Sequence, residues 1–204
     1  FVARKNDEIN RLNGIYENLL KNNGVDIHWG KAVLSGPNTV RVGDKEFTAE
    51  RILIATGGKP VFPPIEGAKE FGIVSDDIFY LPEMPKRLVV LGVGYIGLEF
   101  AGIFNALGAE VHVIYRRDKI LNEGFDEDVR VFLQAEMTKQ GITFHPETNI
   151  TKLEKQGDDI LVHLDKGKTL KADQVLFATG RKPNSEGLGL EELGIKLAKN
   201  GAIP

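Results

Sequence analysis

The sequence contains no cysteine, and this absence removes several kinds of functional site at once. Without a thiol, the chain itself offers no disulfide, no thiol nucleophile and no thiolate ligand for a metal. Long apolar runs are also missing, because Leu88–Leu91 and Val111–Ile114 are far shorter than the ~18 residues of a membrane-spanning helix. No N-terminal segment has the order of a signal peptide, so we expect a cytoplasmic protein without a membrane partner.

Charge of one sign is not concentrated anywhere along the chain. The 26 basic and 29 acidic residues are interspersed and leave a net charge of −3. Because no basic stripe is present, we expect no nucleic-acid partner. Hydrophobic residues at 42% and charged residues at 27% are typical of globular proteins and exclude disorder as the main state. The length of 204 residues corresponds to one or two domains of about 100–200 residues each.

The four histidines do not form a metal-binding motif. They lie inside alternating strand-like segments, without paired carboxylates and without the spacing of metal ligands. We therefore expect a structural role for His28, His112, His145 and His163. No metal site is predicted from any other group of residues.

Apolar periodicity predicts one helix followed by a β-meander in the N-terminal part of the chain. Apolar residues recur every three or four positions in the first twenty residues, and Asn23-Gly24 provides a stop signal. The period then changes to two. The predicted strands are Val25–Leu34, Thr39–Val42, Glu46–Thr48 and a buried strand, Ile52–Ala55.

Residues 56–85 form a predicted crossing segment that is rich in glycine and proline and contains one short helix near Ser75–Phe79. An alternation of strands and helices follows it. The predicted elements are strand Arg87–Leu91, helix 95–107, strand Glu110–Tyr115, helix Asp126–Gln140 and strand Ile142–His145. This βαβαβ order predicts a Rossmann-like parallel sheet. Antiparallel strands are predicted at 150–155, 160–165 and 169–171, before a last strand at 174–178.

Two segments of the chain share one pattern. Residues 52–60 and 175–183 each consist of an apolar strand, Ala-Thr-Gly, a basic residue and a proline. Since no further copies occur, the pattern is a pair of similar segments and not a solenoid repeat.

Residues 92–97, Gly-Val-Gly-Tyr-Ile-Gly, fit the dinucleotide-binding fingerprint G-x-G-x-x-G. The motif follows a predicted strand and opens a predicted helix, which is the context that it requires. Gly92 would permit the tight turn, Gly94 the close approach of a pyrophosphate, and Gly97 the packing of helix on strand. The helix N-terminus offers free N–H groups and partial positive charge to phosphates. The alternative is a glycine-rich turn that binds nothing.

The end of the second strand indicates which dinucleotide binds. An NAD site has Asp or Glu about 20 residues beyond the first glycine, where it holds the ribose 2′-hydroxyl. Here that position is near Tyr115, and Arg116 and Arg117 follow it. A guanidinium forms strong hydrogen bonds to a 2′-phosphate, so the sequence favours NADPH. The alternative is a solvated arginine pair at the end of a strand.

These features together resemble the flavin-dependent pyridine nucleotide–disulfide oxidoreductases, and among them the glutathione reductases of plants and bacteria. The segments that carry the resemblance are 8–13, 52–60, 94–107, 125–126, 178–184 and 187–202. The chain is then an internal piece of a longer protein. Residues 1–83 would be the C-terminal part of the FAD-binding domain, 84–182 the NADPH-binding domain, and 183–204 a return segment toward the FAD domain.

The resemblance also implies site residues. NADPH would be lined by Gly92, Val93, Gly94, Tyr95, Ile96 and Gly97, with Arg116 at its 2′-phosphate and Arg117 as a further candidate beside it. Tyr95 would shield the flavin, and Glu99 would pair with a lysine beside it. Contacts to FAD, or to both cofactors, would come from Lys31, Ala32, Thr56, Gly57, Gly180 and Arg181.

The implied activity of the parent protein is NADPH-dependent reduction of glutathione disulfide through FAD and a redox disulfide, in a homodimer. The redox cysteines and the catalytic residues lie outside this sequence. Asn122-Glu123 precedes Gly124-Phe125-Asp126, where the family often has a second phosphate-binding arginine. Two other interpretations stay open: a nucleotide-binding module without catalysis, and a related flavin reductase with another electron acceptor.

Overall fold

The computed structural model describes residues 2–204, and its elements follow the apolar pattern of the sequence over most of the chain. In chain order, the helices are α1 (Val2–Asn22), α2 (Ala68–Phe71), α3 (Tyr95–Ala106) and α4 (Glu127–Lys139), with a 3-10 helix at Asp77–Tyr80. The strands are β1 (Ala32–Gly36), β2 (Thr39–Val42), β3 (Lys45–Thr48), β4 (Gly58–Pro60), β5 (Ile73–Val74), β6 (Arg87–Leu91), β7 (Glu110–Ile114), β8 (Thr143–His145), β9 (Ile150–Gln156), β10 (Asp159–Leu164), β11 (Thr169–Ala172), β12 (Gln174–Phe177) and β13 (Arg181–Pro183). Among the described residues, no helix is both long enough and apolar enough to cross a membrane.

The chain divides into two compact units. The first unit comprises the residues up to Gly58 together with Pro183–Pro204, and the second unit comprises Lys59–Lys182. The sequence predicts a boundary after residue 83, whereas residues 59–83 belong to the second unit. The physical reason is β5, which pairs with β12 and so ties this segment to the main sheet of that unit.

A five-stranded parallel sheet with the order β5-β12-β6-β7-β8 forms the centre of the second unit. Every residue of β6 from Leu88 onward is buried, as expected for a strand that is covered on both faces. The chain runs β6-α3-β7-α4-β8, so the predicted βαβαβ order is confirmed. Leu91 at the end of β6 pairs with Ile114 of β7 and with Phe177 of β12. The residues after these strands therefore lie along one edge of the sheet.

Different layers cover the two faces of this sheet. On one face, Leu98 of α3 packs in a buried cluster with Val113 of β7. On the other face, the antiparallel sheet β11-β10-β9 contributes Val162 to a second cluster with Ile114. Val113 and Ile114 are neighbours in β7 and point to opposite faces because side chains alternate along a strand. The structure is a mixed α/β fold, and the predicted fold class is confirmed.

The first unit contains α1 and the antiparallel sheet β1-β2-β3. The predicted helix is confirmed, but α1 has no buried residue in the part of the chain that the structure describes. The C-terminal segment packs on the sheet, where the N–H of Leu34 donates to the carbonyl oxygen of Leu188 at 2.8 Å.

Three local predictions differ from the structure. The strand expected at Val25–Leu34 begins only at Ala32. Residues Ile52–Ala55 form no strand, and Leu53 is 89% exposed, since no described strand pairs with this segment. The helix expected from Asp126 begins at Glu127, with Asp126 as its N-cap residue, whose side chain forms no capping hydrogen bond.

Candidate functional site

The turn between β6 and α3 requires glycine at its first position. Gly92 has φ +120°, a backbone conformation that residues with a side chain rarely adopt. A Cβ atom there would lie 2.5 Å from the carbonyl oxygen of Ala178, which belongs to the backbone and cannot move aside cheaply. The N–H of Gly92 donates to the carbonyl oxygen of Ile114 at 3.0 Å and fixes the turn beside β7.

The other two glycines of the fingerprint differ from each other in their surroundings. A Cβ atom at Gly97 would lie 2.4 Å from the carbonyl oxygen of Gly92, so α3 packs directly on the turn. Gly94 is the N-cap residue of α3, with an ordinary φ of −69°, and an added Cβ would meet no protein atom within 4 Å. The space at Gly94 is therefore open to a ligand, while the space at Gly97 is filled by the protein.

The N-terminus of α3 offers hydrogen-bond donors to that open space. The first N–H groups of a helix have no intrahelical acceptor, and the helix dipole adds partial positive charge at this end. The first turn of α3 carries no acidic residue that would compete with an anion. Together these features are typical of sites that bind phosphate groups.

A cavity of about 880 Å³ extends from this helix end along the edge of the parallel sheet. Its walls come from the segments that follow β5, β12, β6 and β7, and from residues 60–65. The predicted site residues that line the cavity are Gly92, Val93, Gly94, Tyr95, Ile96, Arg116, Arg117, Gly180 and Arg181. Tyr95 presents a side chain that is 61% exposed. The structure thus brings together nine residues that the sequence analysis selected from distant segments.

The end of β7 carries a buried tyrosine in place of an acid. Tyr115 lines the cavity and is 3% exposed, and the side-chain amide of Gln134 donates to its hydroxyl oxygen at 3.2 Å. Burial raises the pKa of the Tyr115 hydroxyl, which therefore stays neutral near pH 7. No carboxylate is available at this position to hold a ribose 2′-hydroxyl.

Two adjacent arginines supply positive charge beyond Tyr115. Arg116 and Arg117 are exposed and line the cavity, and neither side chain has a hydrogen-bond or ion-pair partner among residues 2–204. Neighbouring cations are engaged elsewhere, because Lys119 pairs with Glu127, and Arg130 donates to the carbonyl oxygen of Ile120. The guanidinium groups of Arg116 and Arg117 are therefore the local cations available to an anionic ligand.

The loop after these arginines returns to the glycine turn. The N–H of Leu121 donates to the carbonyl oxygen of Val93 at 2.8 Å. Asn122 lines the cavity, and its side-chain oxygen accepts a hydrogen bond from the N–H of Gly124 at 3.0 Å. Glu123 is exposed and is not part of the cavity wall.

Sequence reasoning missed several cavity residues that come from separate segments. Ser75 follows β5, Asn149 and Ile150 lie at the start of β9, and Phe125 precedes α4. No local motif marks Ser75, Asn149 or Ile150, and Phe125 belongs to a segment that carries the family resemblance without a predicted role at the site. The signal that could have found Ser75 is topological, since ligands bind at the carboxyl ends of parallel strands.

The remaining predicted site residues lie outside the cavity wall. Glu99 is exposed on α3, one turn beyond the helix N-terminus, and Gly97 is buried against the turn. Lys31, Ala32, Thr56 and Gly57 belong to the first unit. There the hydroxyl of Thr56 donates to the carbonyl oxygen of Asn184 at 2.7 Å.

No group of three candidate metal ligands occurs in the described part of the chain. His112 Nδ1 lies 2.9 Å from His145 Nε2, and His112 Nε2 lies 3.0 Å from a carboxylate oxygen of Glu110. Burial lowers the pKa of His145, with a further contribution from His112. This hydrogen-bonded row joins β7 to β8.

Similar proteins are found over the whole chain. Glutathione reductase of Burkholderia cepacia is 44% identical over 99% of this chain, and the match covers 44% of that relative. The chloroplastic/mitochondrial glutathione reductase of Pisum sativum is 45% identical over 99% of this chain, and the match covers 36% of that relative. The chain thus spans less than half the length of these curated relatives.

Solved structures and a family profile agree with these matches. The HOCl-induced flavoprotein disulfide reductase RclA from Escherichia coli superposes with a TM-score of 0.91 at 29% identity, over all of this chain and 47% of the other. The family profile described as pyridine nucleotide-disulphide oxidoreductase matches residues 2–204. The chain therefore belongs to the pyridine nucleotide-disulphide oxidoreductase family.

Proposed function

We propose that the second unit, Lys59–Lys182, binds NADPH in the cavity at the edge of its parallel sheet. The observation that carries this proposal is the pairing of an open glycine turn with two uncompensated arginines. Gly94 leaves room for the pyrophosphate at the N-terminus of α3. Arg116 and Arg117 stand at the end of β7, where the 2′-phosphate of a bound dinucleotide would lie.

The choice of NADPH over NADH rests on charge. Tyr115 replaces the acid that an NAD site uses, and the two guanidinium groups favour a phosphate. Asn122 contributes a neutral amide to the same cavity, so Arg116 and Arg117 would supply the positive charge at the 2′-phosphate. A hydrogen bond to a charged group contributes roughly 1.5–3 kcal/mol, which corresponds to about ten- to a hundredfold in affinity.

The whole protein would be a flavoprotein disulfide reductase, with glutathione disulfide as the preferred substrate. NADPH would supply a hydride, FAD would accept it, and the electrons would pass through a redox disulfide to glutathione disulfide. The part of this chain would be to orient the nucleotide through the glycine turn, Tyr95 and the arginines. A related reductase with another electron acceptor is the alternative within the same family.

The first unit would contribute to the FAD-binding domain. Lys31, Ala32, Thr56 and Gly57 would contact FAD, with Gly180 and Arg181 near both cofactors. Residues 84–182 would be the core of the NADPH-binding domain, and 183–204 the return to the FAD domain. Cytoplasmic location and a homodimeric parent stay predictions.

A second candidate function, nucleotide binding without catalysis by this chain, is favoured by the absence of cysteine. Both candidates require the same cofactor site. They differ in whether the chain takes part in disulfide reduction as a portion of a larger enzyme or only binds the nucleotide.

Calorimetric titration with NADPH and NADH tests the proposed site directly. We expect native protein to bind NADPH about ten- to a hundredfold more tightly than NADH. Arg116→Ala should reduce that preference, while Arg51→Ala, which removes an exposed arginine of the first unit, should not. Equal affinities for the two nucleotides, or an unchanged preference in Arg116→Ala, would show that the phosphate has been placed wrongly.

A further inference from the structure

Residues 115–121 form the arginine loop, which follows β7 and carries both arginines of the proposed phosphate site. Backbone hydrogen bonds hold its N-terminal half against β8 and the turn that follows β8. The N–H of Tyr115 donates to the carbonyl oxygen of His145 at 3.2 Å, and the N–H of Glu147 donates to the carbonyl oxygen of Arg117 at 3.1 Å. The backbone that carries the arginines is therefore fixed on this side.

Strained backbone occurs at two positions, and both contact the arginine loop. Among residues 2–204, the non-glycine residues with positive φ are Leu121 at +58° and Glu147 at +48°. Leu121 ends the loop, and its N–H donates to the carbonyl oxygen of Val93 in the glycine turn at 2.8 Å. Such residues are uncommon and persist only where the surrounding structure holds them, which is frequently at binding sites. Their position here indicates a loop that is held in one conformation.

A buried arginine of α4 holds the C-terminal half of the loop. Arg130 is 8% exposed, and its Nε donates to the carbonyl oxygen of Ile120 at 2.8 Å. Its Nη1 lies 3.5 Å from a carboxylate oxygen of Glu127, whose other carboxylate oxygen pairs with Lys119 of the loop. Ile120 and Leu121 are both buried in the cluster that α3 forms with the parallel sheet. Arg130 thus joins α4 to the loop at the residue before the strained Leu121.

We propose that Arg130 is a positioning residue that holds the arginine loop in the conformation that binds the 2′-phosphate. This inference rests on the proposed NADPH site and deepens it. Arg130 is not part of the cavity wall, so it acts through the loop and not by contact with the nucleotide. A ligand that meets a pre-formed loop loses no affinity to the ordering of that loop. Because NADH has no 2′-phosphate, its affinity should depend on the loop far less than NADPH affinity does.

Two substitutions of Arg130 isolate its hydrogen bond to Ile120. Arg130→Met removes the donor, while Arg130→Gln places an amide nitrogen the same number of bonds from the backbone as Nε, and both variants lose the positive charge. We expect Arg130→Met to lower the ratio of NADPH to NADH affinity, measured by calorimetric titration, about three- to tenfold. Arg130→Gln should keep a ratio within about twofold of native.

Two further variants separate positioning from a general loss of stability. Arg87 begins β6 and pairs with Asp159 and Asp173 at the sheet edge opposite the cavity. Arg87→Met should therefore be destabilised and still keep the native affinity ratio. In a double variant that lacks both loop arginines, Arg116→Ala with Arg117→Ala, adding Arg130→Met should lower the ratio no further, because the loop then has no cation to position.

Hydrogen exchange of native protein without nucleotide tests the pre-formed loop independently of any substitution. The N–H of Leu121 should exchange at least about a hundredfold more slowly than in an unstructured peptide. This measurement decides the inference if Arg130→Met does not fold, since a Leu121 N–H without protection overturns it.

The inference is also overturned if Arg130→Met and Arg130→Gln have the same affinity ratio, or if Arg87→Met lowers the ratio as much as Arg130→Met. A further loss in the variant that lacks both loop arginines overturns it as well. Native protein that binds NADPH and NADH equally refutes the proposed NADPH site, and this inference with it. Native protein that prefers NADPH, with equal ratios in the two Arg130 variants, refutes the positioning role alone.

Discussion

Replacing Gly92 by alanine should destabilise the second unit, because the position combines backbone strain with a steric clash. A non-glycine residue at φ +120° costs about 1–3 kcal/mol. The new Cβ would stand 2.5 Å from the carbonyl oxygen of Ala178, and such overpacking costs about 1–3 kcal/mol more. Reduced entropy of the unfolded chain returns about 0.4–1 kcal/mol. We expect a loss of about 1–6 kcal/mol in the free energy of unfolding.

Gly94→Ala, unlike Gly92→Ala, should weaken ligand binding without destabilising the fold. The backbone angles of Gly94, φ −69° and ψ 169°, suit alanine, and the methyl group meets no protein atom within 4 Å. The entropic gain of about 0.4–1 kcal/mol is offset by the poorer N-cap preference of alanine. The methyl group instead occupies the space proposed for the pyrophosphate. NADPH affinity should therefore fall about ten- to a hundredfold.

Urea unfolding followed by far-UV circular dichroism measures the first effect, and calorimetric titration with NADPH measures the second. Gly102→Ala is the control, since it lies in α3 and its added Cβ also meets no atom within 4 Å. We expect this control to keep native NADPH affinity. A Gly94→Ala variant that binds NADPH like native protein, or a Gly92→Ala variant of native stability, would refute the account of the turn.

Two further predictions concern acid stability and turnover. Hydrogen bonds from Arg87 hold the pKa values of Asp159 and Asp173 below their ordinary values. The two ionised carboxylates therefore stabilise the fold above about pH 4, and this stabilisation is lost as the pH falls through the lowered pKa values. Arg87→Met should therefore lose less stability than native protein between pH 7 and pH 3 in urea unfolding, and an equal loss in both would contradict this. The purified chain, with FAD and NADPH supplied, should show no NADPH oxidation by glutathione disulfide, because disulfide exchange requires a thiolate and the sequence has no cysteine; measurable turnover would disprove this.

The parts of the fold that sequence reasoning predicts are those where local pattern and burial agree. β6, α3 and β7 combine a continuous apolar run, a glycine turn and a periodic helix, and the structure places all three within one or two residues of expectation. α2 has four residues and β5 has two, so neither is long enough to show a period. Both are defined by tertiary contacts, β5 through its pairing with β12.

The expected strand Ile52–Ala55, in contrast, was predicted from its pattern but does not form. Its apolar run is typical of a buried strand, yet a strand exists only where a neighbour supplies hydrogen-bond partners, and none of the described strands pairs with it. At the site, the glycine turn and the arginines were found from local motifs. Ser75 has no such motif, because only the order of strands in the parallel sheet brings it to the cavity.

The central claim, that the cavity of the second unit holds NADPH in a defined direction, is tested most directly by a crystal structure of this chain with NADPH bound. We predict that the pyrophosphate lies within hydrogen-bond distance of the N–H groups at the start of α3, beside Gly94. The 2′-phosphate should contact Arg116, and the nicotinamide half should extend toward Arg181. Nucleotide bound outside this cavity, or bound with its 2′-phosphate at Arg181, would contradict the account.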